Sequence, residues 1–202
     1  MTLKNLAGSV GFAALIAATS GMAHADSFEI QLSDTAVTEA HDGRVLLIIT
    51  PDGEKEPRFQ VKQSYDAPQI FGVNVNSLQP GGSVEIGTGV LGFPAEDIKG
   101  VPAGDYYVQA VLHKYDTFNL SNGKTVKLPA ARGAGQNWRL EPGNVISKPR
   151  KVSFDPEGSD TISISLNEVL PEIEEPQDTK YIRHFKIRSD KLSDFWGTYV
   201  II

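Results

Sequence analysis

The chain has 202 residues, a formal net charge of -6 at pH 7 and no cysteine. That length supports one ordinary domain with its own core and argues against two. An acidic balance without any basic cluster argues against nucleic acid and anionic membrane surfaces as partners, and the missing cysteines exclude disulfides, thiol chemistry and cysteine-rich zinc sites.

Residues 1–25 read as a cleavable secretory signal. Lys4 is the one charge of the leader, an apolar run from Val10 to Ala18 follows, and Ala23-His24-Ala25 precedes Asp26. Small side chains at Ala23 and Ala25 suit signal peptidase, so cleavage is expected between Ala25 and Asp26. The run is interrupted by Gly11, Thr19, Ser20 and Gly21 and falls short of the roughly 20 apolar residues that span a bilayer, so no membrane span is expected after cleavage. The expected destination is the periplasm or the extracellular space, and stability there must come from burial and sheet pairing.

Nineteen glycines and twelve prolines punctuate short segments rich in Val, Ile, Phe and Tyr, a pattern of many short strands. Strands are predicted over residues 28–32 (FEIQL), 44–50 (RVLLIIT), 59–61, 71–75 and 84–86. Residues 105–115 (DYYVQAVLHKY) place Val108, Ala110 and Leu112 on one face and Gln109, Val111 and His113 on the other, with both faces covered in part. Asn122-Gly123 predicts a two-residue type I′ hairpin between 117–120 and 125–128. An irregular loop over 129–150 is followed by closing strands at 152–154 and 161–166 (TISISL). The expected fold is all-β, an antiparallel immunoglobulin-like sandwich over 26–170. Gly104-Asp105-Tyr106, after Val101-Pro102-Ala103, has the pattern of a tyrosine corner, in which the hydroxyl bonds back to upstream backbone. Residues 171–179 form an acidic, Pro-bounded linker. An alternating segment at 180–188 (KYIRHFKIR) reads as a strand, and 189–196 as a short helix between Ser189 and Gly197. The β-branched run at the end reads as a strand with more to follow.

No catalytic constellation is visible. Gly-x-Ser-x-Gly is absent, and Gly81-Gly82-Ser83 lies in a turn ahead of a strand. Gly87-Thr88-Gly89-Val90-Leu91-Gly92 spaces its glycines like a dinucleotide fingerprint, but no helix follows and Pro94 interrupts. His41, His113 and His184 share no ligand spacing, the Asp155, Glu157, Asp160 loop lacks calcium-loop spacing, and Glu172, Glu174 and Glu175 read as a solvated linker. No metal, cofactor or catalytic residue is therefore expected. What remains is a candidate binding or docking surface, Arg132, Gln136, Asn137, Trp138 and Arg139, which sets a tryptophan among guanidinium and amide donors. It could hold a carbohydrate, a peptide or a neighbouring domain; the plainer alternative is that Trp138 plugs the end of the sandwich while Gln136 and Asn137 satisfy loop carbonyls.

Several motifs together carry a resemblance: Glu56-Pro57-Arg58-Phe59-Gln60-Val61, Phe71-Gly72-Val73-Asn74-Val75, Leu91-Gly92-Phe93-Pro94, Pro102-Ala103-Gly104-Asp105-Tyr106-Tyr107, Gly135-Gln136-Asn137-Trp138 with Pro142-Gly143-Asn144, and Phe195-Trp196-Gly197. In order and spacing, nearly all of 44–200 resembles the N-terminal β-sandwich region of secreted esterase-like proteins, which precedes an α/β-hydrolase domain of the enterochelin-esterase type. In that family the segment after Phe-Trp-Gly enters the first strands of the hydrolase domain. The nucleophile, acid and histidine belong to that missing domain, so none is carried over to this chain. The resemblance implies an exported, non-catalytic accessory module that docks to a hydrolase domain or subunit, or orients its substrate, with Trp196 and the Trp138 loop at the contact. A stand-alone carbohydrate- or peptide-binding protein and a truncated esterase are the alternatives.

Overall fold

The structure, a computed structural model, describes residues 25–130 and 137–198. The strands among them are β1 (Ala25–Leu32), β2 (His41–Thr50), β3 (Gln69–Leu78), β4 (Ser83–Ile86), β5 (Gly92–Phe93), β6 (Gly104–Asn119), β7 (Thr125–Leu128), β8 (Val145–Ile146), β9 (Arg150–Phe154), β10 (Asp160–Leu166) and β11 (Glu168–Val169); the helices are α1 (Pro57–Gln60) and α2 (Asp190–Trp196). The signal segment 1–24 and the terminal run 199–202 lie outside the described residues.

The fold is an all-β sandwich. In one layer β1 is flanked by β4, antiparallel, and by β10, parallel. The other runs β9-β6-β2-β3-β5 with every ladder antiparallel. No hairpin links β1 to β10, which lie far apart in sequence, so their relative direction is not imposed by a turn. The layers meet at one corner, where Ala25 lies beside both Phe154 and Asp160. The expected cleavage point is therefore at the very start of β1, and removal of Ala25 would leave the Ser27–Leu32 register with β10 intact.

Between the layers lies the main core. Phe28, Ile30 and Leu32 from β1 and Ile162, Ile164 and Leu166 from β10 meet Val45, Leu47 and Ile49 from β2 and Val108, Ala110 and Leu112 from β6. Phe28 and Phe154 stack at 5.6 Å between centroids, and covering a ring of this kind contributes about 1.5–3 kcal/mol. A second, smaller cluster lies on the other face of β2 and β6, where Ile48, Val111, Ile146 and Leu170 pack with Val61 and Trp138. This is why 44–50 reads as an unbroken apolar run: its strand is buried on both sides.

The tyrosine corner forms as expected, Tyr106 Oη donating to the Pro102 carbonyl at 2.8 Å. Four expectations change. The hairpin after β6 uses a three-residue loop in place of a type I′ turn. Gly123 N–H donates to the Leu120 carbonyl and Gly123 alone has a positive φ, 81°, whereas type I′ needs two such residues. Residues 59–61 form no strand. Pro57 opens the helical turn α1, a position where its missing N–H costs nothing, and the Arg58 N–H goes to the Gln109 side chain at 3.1 Å. Residues 180–187 are also irregular and exposed, because alternation alone makes no strand without an edge to pair with. Inside the 129–150 loop, Val145–Ile146 forms β8 and pairs with β6 and β11.

Candidate functional site

The loop that follows residue 136 returns across the outer face of β6 and is fastened by reciprocal arginine contacts. Arg58 Nη1 donates to the Arg139 carbonyl at 2.8 Å, and Arg139 Nε donates to the Arg58 carbonyl at 3.0 Å. Arg139 Nη2 reaches the Val61 carbonyl at 2.7 Å. Arg58 also pairs with Glu56 at 2.9 Å, and the same carboxylate oxygen accepts from Gln109 Nε2 at 2.9 Å. Gln109, fully buried in mid-strand, donates further to the Ser147 carbonyl at 3.0 Å. Asn144 links Trp138 to β6, donating to the Trp138 carbonyl and accepting from Lys114 N–H. Buried polar groups so connected are stabilising as a set and costly when one partner is lost.

Of the expected surface, Asn137, Trp138 and Arg139 are thus turned to the body of the protein. Trp138 packs on the second cluster, the Arg139 guanidinium lies 4.9 Å from its ring, and Asn137 Oδ1 accepts from the Arg139 N–H at 3.3 Å. Arg132 and Gln136 lie outside the described residues. Trp196 is seated elsewhere, its ring 5.6 Å from Phe118 on β6.

That contact belongs to the C-terminal arm. Ser189 Oγ caps α2 by accepting from Leu192 N–H at 3.4 Å, and Gly197 closes it at φ 65°. The Phe195 carbonyl accepts from Ser121 N–H at 2.9 Å, tying the helix to the β6–β7 hairpin. Gly197 sits where a Cβ would come within 2.1 Å of the Asn119 carbonyl oxygen; the left-handed backbone and this close approach both call for glycine. Between the sandwich and α2 the chain is uncovered: Tyr181 is 85% exposed, Phe185 78%, Ile187 64% and Ile182 55%. Arg183 and His184 pair with Asp178, and Lys186 with Glu175, exposed contacts that add little stability.

An open cleft of about 660 Å³ lies between the 50–69 segment and the tyrosine corner. Ile49, Val101 and Tyr106 line it from the sandwich, and Phe59 and Tyr65 from the segment. The side chain of Gln60 shapes the loop beside it, accepting from Thr50 Oγ1 at 2.9 Å and donating to the Asp52 and Lys55 carbonyls at 3.0 and 2.7 Å. Lys62 and Ser64 hydrogen-bond Asp66 and hold its carboxyl down at about 2, so it is ionised at neutral pH. Burial raises the Tyr106 phenol above its usual value, and its hydroxyl is committed to the Pro102 carbonyl. The exposed aromatics Phe59 and Tyr65, within a Pro- and charge-rich stretch, were the available sequence signal; what hid the cleft is that its opposite wall comes from residues 101–106.

Among the described residues, no cluster of three or more His, Asp or Glu could hold a metal ion, and no helix is long and apolar enough to cross a membrane. Ser83, in the glycine turn considered above, donates its hydroxyl to Glu29 at 2.8 Å.

No family model matches the chain, and no curated protein matches it. Among solved structures it is similar to a crystal structure from Bacteroides ovatus described as a "putative adhesin", at 11% identity and a TM-score of 0.32, over 81% of this chain and 50% of that one. The chain thus spans about half the length of that structure, and a likeness at this TM-score carries no argument about function.

Proposed function

We propose that the chain is an exported, non-catalytic accessory module of an esterase-type α/β-hydrolase, joined to the hydrolase domain through residues 180–198. One observation carries this reading: Tyr181, Ile182, Phe185 and Ile187 are left open to solvent on a protein whose sandwich closes its own core. Covering each such side chain contributes about 1.5–3 kcal/mol, and runs of large exposed apolar groups mark surfaces that meet another protein. The alternation of apolar and basic residues over 180–188 suits a strand that lacks a neighbour. In the esterase-like proteins that the motifs resemble, the segment after Phe-Trp-Gly, here Phe195-Trp196-Gly197, enters the hydrolase sheet, so 180–188 lies close ahead of that junction. Helix α2, anchored on Phe118, would hold that segment at a set position relative to the sandwich.

The test is co-elution with the hydrolase domain encoded downstream, supplied as a separate chain. The Tyr181→Asp/Phe185→Asp double variant is expected to lose co-elution while the sandwich unfolds at an unchanged midpoint. An unrelated downstream reading frame, or turnover of generic esters by this chain alone, would overturn the reading. N-terminal sequencing of the exported product is expected to begin at Asp26.

A further inference from the structure

We propose that the cleft between the 50–69 segment and the tyrosine corner is a binding site for a neutral saccharide chain. Phe28, Phe71 and Phe154 are wholly buried, yet Tyr65 is 89% exposed, Phe59 44% and Phe93 41%. Tyr65 and Phe93 lie 6.0 Å apart, tilted at 41°, which extends the aromatic surface beyond the cleft itself. An exposed ring face suits the C–H face of a pyranose, which is apolar although the sugar's rim is polar.

The polar lining narrows the ligand class. Asp52, Glu54 and Asp66 stand on the same cleft as Lys55 and Lys62, so charge is nearly balanced and no polyanion or polycation is favoured. Ionised carboxylates only accept hydrogen bonds. A sugar presents hydroxyl donors to them, whereas a Pro-rich peptide, the other common occupant of aromatic grooves, presents mostly carbonyl acceptors. The volume, about 660 Å³, falls within the roughly 300–1,000 Å³ of small-ligand sites. The cleft is also set in advance of binding. Gln60 is committed on both side-chain atoms to the 50–55 loop, Tyr106 is fixed on Pro102, and Pro51, Pro68 and Pro102 stiffen the lining; a preformed site avoids an ordering cost on binding.

This inference is independent of the hydrolase reading, since the cleft shares no residue with 180–198. The experiment is affinity gel electrophoresis of the full mature chain through gels containing neutral polysaccharides: a mixed-linkage glucan, a galactomannan, hydroxyethyl cellulose, an uncharged xylan and a starch. At least one is expected to retard the protein, with affinity falling about tenfold for Tyr65→Ala and for Phe59→Ala, as for other central aromatic contacts. Tyr65 is 89% exposed, so Tyr65→Ala should unfold at the wild-type midpoint; Phe59→Ala, whose ring lies 4.5 Å from the Arg58 guanidinium, should keep the wild-type far-ultraviolet spectrum, and Tyr181→Asp/Phe185→Asp should be retarded like wild type. Three outcomes would overturn the proposal: no retardation by any of the five, retardation that survives the Tyr65→Ala/Phe59→Ala double variant, or capture of a poly-proline peptide with no response to polysaccharide.

Discussion

The two layers of the sandwich solve burial differently. In the β4-β1-β10 layer each strand shows one face to the core and the other to water: Phe28, Ile30 and Leu32 are buried while Glu29 and Gln31 are exposed, and Ile162, Ile164 and Leu166 alternate with exposed Thr161, Ser163 and Ser165. In the β9-β6-β2-β3-β5 layer, Ile48, Gln109 and Val111 are also buried on the outer face, under α1 and the 137–147 loop. A one-sided layer needs only its partner across the core. A two-sided one depends on a loop whose backbone must find hydrogen-bond partners away from water, and the Arg58–Glu56–Gln109–Arg139 contacts supply them. Trp138 and Arg139, two residues of the candidate surface, help to hold this cover in place.

The comparison can be broken at four points of decreasing effect. Phe154 belongs to the core that both layers share, so Phe154→Ala should lower stability by about 3–5 kcal/mol in urea unfolding. Arg58→Ala strikes the covered face alone. It removes one of two partners of the Glu56 carboxylate, which keeps Gln109 Nε2, and takes the Nη1 donor from the Arg139 carbonyl, and a loss of about 1–3 kcal/mol is expected, whereas Glu29→Ala on the open face of the other layer should change stability by less than about 0.5 kcal/mol. Equal losses for these two variants would refute the contrast between layers. The Tyr106→Phe change removes one hydrogen bond at the corner and should cost about 1 kcal/mol, with the far-ultraviolet spectrum unaltered.

The smallest effect is on pH. His41, at the start of β2, has its pKa lowered by burial and then by Lys114. The folded state therefore binds this proton less readily than the unfolded chain. Its contribution is full above the ordinary value of 6.5 and is lost as pH falls through the lower folded value. The urea midpoint should fall between pH 7 and 5 by less in His41→Asn than in wild type. Next to it Asp42 is held down by Lys127 and by the Ser77 N–H; its contribution is present above the ordinary 3.8 and disappears at lower pH, which separates the two residues by pH window.

How much was legible follows the same division. Period-two alternation in FEIQL and TISISL located the one-sided strands, since each residue's environment there is set by its own strand. The corner at Tyr106 and the ends of α2 at Ser189 and Gly197 were readable because their partners lie within a few residues: Pro102 is four away and Leu192 three. Arg58 and Gln109 are 51 residues apart, and Arg58 and Arg139 are 81, so no local pattern announces that these side chains meet. The helical turn at Pro57 follows from the same contact, because a side chain took the N–H that a strand would have offered to a neighbour. Only the folded chain sets Tyr65 and Phe59 opposite Val101 and Tyr106.

From the sequence by itself came the all-β class, most strand positions, the tyrosine corner and the caps of α2, because each rests on periodicity or on groups close along the chain. Tertiary structure decided that Trp138 is part of a cover, that 180–187 joins no strand among the described residues, and that an aromatic cleft opens beside the corner. Those outcomes depend on which distant surfaces meet and on which backbone groups are left needing a partner, and neither is encoded at any one stretch of residues.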